Sequence, residues 1–135
     1  MAKKVVIYGY TTLGSKIANI LSEKEYQIIV VDFEPSALQQ ASKDGFETFE
    51  STLLNDNDLI EVGITKDIDA LFCVSYNNKN NLFITLSARN LSKDLKISTI
   101  SKTKSEANKL QIAGATKVLN PNEIGAARLG SPLAI

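Results

Sequence analysis

The first apolar run of the chain, Val5-Val6-Ile7-Tyr8, leads straight into Gly9-Tyr10-Thr11-Thr12-Leu13-Gly14. A glycine-bounded turn between a strand and a helix can aim backbone N–H groups and a helix amino end at a phosphate. Gly9 and Gly14 hold the first and third glycine places of a Gly-x-Gly-x-x-Gly pattern, but Thr11 holds the second, which normally lets a pyrophosphate approach the backbone. A Cβ at Thr11 is expected to crowd a dinucleotide, while the hydroxyls of Thr11, Thr12 and Ser15 offer hydrogen bonds to phosphate. The competing reading is that Gly9 only makes a tight turn and Gly14 only lets helix and strand pack. Asp32 ends the second apolar run, eighteen residues beyond Gly14, where a carboxylate can accept from the 2'- and 3'-hydroxyls of a ribose and would repel a 2'-phosphate. It could equally serve as a loop or capping aspartate ahead of Pro35.

Further along, Tyr76-Asn77-Asn78-Lys79-Asn80-Asn81 reads as a polar loop at the carboxyl end of a fourth strand, beside the place where open α/β sheets bind ligands. Its asparagines could also simply cap the following helix. Lys102, beyond a fifth strand, could face a phosphate or be a solvated lysine. Cys73 lies inside an apolar run and is expected to be inert core. No histidine is present in the 135 residues, and none of the four tyrosines begins a Tyr-x-x-x-Lys pair, so the usual proton donors of a nicotinamide-dependent enzyme are missing.

The elements that must position these residues follow from periodicity. Near-continuous apolar runs at Val5–Tyr8, Ile28–Val31, Ala70–Val74, Ile97–Ile100 and Val118–Leu119, with a shorter one at Phe46–Phe49, suit strands buried on both faces. Leu13, Ile17, Ile20 and Leu21 place one stripe on a helix between the first two. Helices are also expected from Pro35 to about Asp44, over Asn57–Gly63, over Leu82–Leu91 and over Ser105–Ala113. The pattern predicts one α/β domain over residues 1–135: a doubly wound, parallel, six-stranded Rossmann sheet in the order 3-2-1-4-5-6, in three layers.

Composition narrows the function classes. Fifteen basic and fifteen acidic residues cancel, which argues against a nucleic-acid partner. No apolar run nears the roughly 18 residues of a membrane span, so direct membrane insertion is not expected and the chain reads as cytoplasmic. With one cysteine and no histidine, neither a disulfide within the chain nor a Cys/His zinc site can form.

Several motifs together resemble the RCK or KTN family, the nucleotide-binding regulatory domain also called TrkA-N that is attached to bacterial potassium channels and transporters. Besides the glycine turn and Asp32, the resemblance rests on Glu50-Ser51-Thr52, on Leu59-Ile60-Glu61-Val62-Gly63-Ile64, and on Ser75 to Asn81 followed by a helix ending Ser87-Ala88-Arg89. Its most specific stretch is Ala113-Gly114-Ala115-Thr116-Lys117-Val118 with Pro121 three residues on. The family resemblance implies a ligand site drawn from Gly9 to Gly14, Asp32, Phe33, Glu50, Ser51, Ser75, Tyr76, Asn81 and Lys102. The ligand is left open between NAD(H) and AMP, ADP or ATP. The degenerate turn tilts the resemblance toward channel-attached members. Two extra residues between Glu50 and Leu59 alter the loop beneath an adenine, and Ile100 and Lys102 stand where calcium-gated members carry glutamates.

The expected function is a non-enzymatic regulatory domain that senses an adenine nucleotide or other small ligand and controls potassium transport. The alternatives are an assembly-only Rossmann module that has lost its ligand, and an NAD-dependent oxidoreductase. The resemblance implies a homodimer or gating-ring oligomer on a transmembrane potassium pore or transporter subunit. The pairing helix is expected near residues 121–130, with Ile124, Ala126, Ala127 and Leu129 on its contact face, and the chain reads as a domain excised from a longer protein.

Overall fold

Alternation along the strands sorts the apolar residues into two layers. The computed structural model describes residues 3–121, and its elements run β1 Lys4–Tyr8, α1 Thr12–Glu23, β2 Gln27–Asp32, α2 Pro35–Lys43, β3 Glu47–Glu50, α3 Asp56–Glu61, β4 Ala70–Cys73, α4 Asn78–Leu91, β5 Lys96–Ile100, α5 Lys104–Ala113 and β6 Lys117–Leu119. All six strands pair in parallel in the order 3-2-1-4-5-6. Val6, Tyr8, Val31, Leu71, Cys73 and Ile97 face one layer with Leu59 of α3 and Ile84 and Ala88 of α4. Val5, Ile7, Val30 and Phe72 face the other with Ile17, Ala18 and Leu21 of α1 and Ala41 of α2. Burial on both faces is why these strands read as unbroken apolar runs.

The chain reverses direction across the sheet after β3, so β1 and β4 are neighbours whose following turns leave to opposite sides. That is the switch point of a doubly wound sheet, and the crevice lies above it.

Most element ends differ from the sequence reading by a residue, and three elements bear on the site or the sheet edge. β3 is displaced by one residue, to Glu47–Glu50, with Glu47, Thr48 and Glu50 exposed, as suits a polar edge strand that discourages further pairing. α3 covers Asp56–Glu61 and stops short of Gly63. The expected loop through Asn81 is mostly helix: Asn77 accepts from the Asn80 N–H and caps α4, which starts at Asn78. Apolar periodicity begins only at Leu82, so the polar first turn was invisible to it. The helix expected over residues 121–130, with Ile124 to Leu129, falls outside the described residues beyond Pro121.

Cys73 is fully buried, and desolvation pushes its thiol up from 9.0 to about 12. Burial also raises the phenols of Tyr8 and Tyr10. Above pH 9 the unfolded chain loses protons that the folded chain retains, so stability falls as pH rises from there. Native protein at pH 8 is expected to leave Cys73 untouched by a disulfide reagent and to react fully in denaturant; rapid reaction of the native form would contradict the buried placement.

Candidate functional site

The turn after β1 is built by close approach. Gly9 has φ +102°, and a Cβ there would lie 2.6 Å from Cα and 2.7 Å from N of Ser75, in the turn after β4. Gly14 lies under the same turn, where a Cβ would stand 2.0 Å from the Gly9 carbonyl oxygen. Thr11 is the N-cap of α1: its hydroxyl accepts from the Gly14 N–H at 3.0 Å and donates to the Val74 carbonyl at 3.0 Å. A local cap and a bond to the neighbouring strand end thus engage the Thr11 hydroxyl. Leu13 packs into the core, and the Tyr10 ring meets Phe46 edge-on while its hydroxyl donates to Asp44.

Asp32 is buried at the end of β2 and accepts three backbone N–H groups, from Tyr10 at 2.8 Å on one oxygen and from Phe33 at 2.8 Å and Glu34 at 3.0 Å on the other. It thus joins the glycine turn to the entry of α2. A carboxylate offers about four acceptor positions, and three of them are taken here.

At the end of β4, the Asn81 side chain is buried and clamps Ser75. Its oxygen accepts from the Ser75 hydroxyl at 2.7 Å and N–H at 3.2 Å, and its amide donates to the Ser75 carbonyl at 3.0 Å. Asn81 therefore fixes the turn from below and is not exposed to the crevice. Tyr76 is 80% exposed, yet its hydroxyl accepts from the Thr12 N–H at 3.3 Å and lies 3.5 Å from the Thr12 hydroxyl. Those contacts lower the Tyr76 phenol pKa.

These groups wall a crevice of about 450 Å³ over β1, β2 and β4, lined by Gly9, Thr11, Asp32, Phe33, Ser75 and Tyr76 among others. Glu34, Ser36 and Ala37 at the start of α2 also line it, though sequence reasoning did not select them. The signal was available in Pro35, which marks a helix start facing the switch point. On the far side of Tyr76 a second space of about 330 Å³ is lined by Ser101, Lys102 and Thr103. Glu50 is exposed beside β2 without lining the first space, and Ser51 donates to Asp58 to shape the turn before α3. Volumes near 450 Å³ fall within the ~300–1,000 Å³ of small-molecule sites.

A doubly wound sheet with a glycine turn and a carboxylate-ended strand at its switch-point crevice defines a Rossmann-type domain. Residues 5–121 match the model of the TrkA-N domain family, and the chain belongs to that family. It is 29% identical over 130 residues to Probable potassium channel protein 2 of Methanocaldococcus jannaschii, covering 92% of this chain and 37% of that protein. It is 27% identical over 120 residues to Putative K(+) efflux antiporter KefB of Alkalimonas amylolytica, covering 88% of this chain and 18% of that one. The chain thus spans well under half the length of either relative.

Among solved structures, the TrkA-N domain of the Escherichia coli inner membrane protein ybaL superposes with a TM-score of 0.81 at 17% identity, covering 100% of this chain and 98% of that one. The GsuK channel bound to NAD gives 0.78 at 16% identity over 90% of this chain and 22% of the channel. The Shewanella denitrificans Kef CTD in AMP bound form gives 0.77 at 21% identity over 98% of this chain and 80% of that one. At such identities these structures establish the shared fold.

Substitutions at two positions probe this framework. Asp32→Ala strands three N–H groups and is expected to cost on the order of 2–4 kcal/mol of fold stability, with Asp32→Asn costing less because one acceptor oxygen remains; urea unfolding measures both. Gly9→Ala forces a Cβ into the Ser75 backbone at a positive φ and should cost about 2 kcal/mol or more. Wild-type stability in either alanine variant would contradict the geometry.

Proposed function

We propose that the chain is a regulatory domain that binds an adenine nucleotide at the β1/β4 crevice and thereby controls potassium movement through a channel or transporter. The observation that carries this reading is the buried Asp32 carboxylate at the wall of a nucleoside-sized crevice, with acceptor capacity still open. The adenosine would lie between the turns after β2 and β4, its ribose at Asp32 and its phosphate at the amino end of α1, whose Thr12 and Leu13 N–H groups stand outside the helical ladder. Phe33 and Ser75 would wall the base and ribose, while Lys102 would stand across the second space. Solved relatives bound to NAD and to AMP, and relatives named as a potassium channel and a K(+) efflux antiporter, support the reading.

In this reading the domain is no enzyme. It acts at the cytoplasmic face of a membrane as a homodimer or larger ring joined to a pore or transporter subunit. No helix among the described residues is long and apolar enough to cross a membrane. A second reading, assembly without a ligand, is favoured by one observation: the Tyr76 hydroxyl already holds the Thr12 N–H at the phosphate position.

Calorimetry with AMP, ADP, ATP, NAD and NADH at millimolar concentration separates the two. Saturable heat with at least one nucleotide, weakened in Asp32→Asn, is the expected result. No heat with any of the five would leave assembly as the function.

A further inference from the structure

The inference that follows rests on the nucleotide reading and names which nucleotide the site takes. Tyr76 reaches from the turn after β4 to the amino end of α1, directly across the switch point. The 450 Å³ and 330 Å³ spaces on either side of it have Ser75 and Tyr76 as their shared lining. Ser75 is immobilised: its backbone is clamped by Asn81 and pressed against Gly9. Tyr76 is the exposed half of the partition: the residue is 80% exposed, and its hydroxyl meets Thr12 across the crevice.

A mononucleotide needs only the larger space and the end of α1. A dinucleotide has its two nucleosides joined through a pyrophosphate and must lie across the switch point to use both spaces. We propose that Tyr76 is a strap that divides the crevice and sets the specificity of the site for a mononucleotide over a dinucleotide. Its phenolic oxygen occupies the anion position at Thr12, so an entering phosphate takes over that N–H and releases the hydroxyl while the ring still closes the passage. Thr11 reinforces the choice, since its side chain stays at the place where a glycine would give a pyrophosphate clearance.

The test is calorimetry of the full chain with AMP and with NAD for wild type, Tyr76→Phe and Tyr76→Ala. An exposed ring can be replaced without unfolding the domain, and thermal unfolding of each variant verifies this. Wild type is expected to bind AMP about tenfold or more tighter than NAD, a difference of roughly 1.4 kcal/mol. Tyr76→Ala should shrink that ratio at least about tenfold, chiefly by tightening NAD. Tyr76→Phe removes the competing hydroxyl but retains the ring, so AMP should tighten severalfold while most of the discrimination persists. An AMP-to-NAD ratio that is the same in wild type and Tyr76→Ala, or a wild type that prefers NAD, overturns the strap and leaves the nucleotide reading standing. Absence of binding by both ligands to all three proteins overturns the strap, and the nucleotide reading falls with it when ADP, ATP and NADH also give no heat.

Discussion

Three backbone N–H groups from two separate turns converge on the Asp32 carboxylate, and the arrangement of the crevice depends on that convergence. Tyr10 belongs to the turn after β1, while Phe33 and Glu34 open the path into α2. A buried carboxylate is tolerated when its lone pairs are met, and donors to a charged acceptor are among the stronger hydrogen bonds. Meeting them here fixes the spacing between the end of β2 and the glycine turn. The contact of Gly9 with Ser75 then fixes the turn after β4 against the same frame. Three loops that would each be loose alone become one rim.

Much of the polar chemistry in this rim is directed inward. Thr11 caps α1 and binds the end of β4, Asn81 binds Ser75 from beneath, and Ser51 ties its turn to Asp58. These hydroxyls and amides hold loops in place, while Asp32 keeps acceptor capacity beyond its three N–H partners. A site of this kind gains specificity from shape. The exposed aromatic rings of Phe33 and Tyr76 contribute to that shape on opposite sides of the larger space.

TrkA-N membership places this economy in a domain type found here beside relatives named for potassium channels and antiporters. Regulation by a ligand requires a binding free energy that differs between two arrangements of the domain. In the nucleotide reading proposed above, the contact of exposed Tyr76 with Thr12 is the one that a ligand would exchange. In the proposed reading, a ligand that displaces the hydroxyl of Tyr76 would leave the anchoring bonds of Asp32 and Asn81 intact, so that occupancy would alter the crevice without unsettling the sheet.

The strand order and the two-layer core were legible in the sequence because burial on both faces demands apolar runs such as Val5–Tyr8 and Ala70–Cys73, and right-handed crossovers leave few ways to connect them. The candidate residues Gly9, Asp32 and Tyr76 were also legible, since turn position and spacing put them at the carboxyl ends of strands. Tertiary structure decided which way each polar group points. Thr11 and Asn81 have the chemistry to meet a ligand, but their nearest unsatisfied partners, Val74, Gly14 and Ser75, come from segments brought together only when β1 and β4 pair. The start of α4 was hidden because its first turn carries no apolar periodicity and is held by the Asn77 cap. The contact of Tyr76 with Thr12 was likewise hidden, because these residues, 64 positions apart, come within hydrogen-bond distance only in the folded sheet.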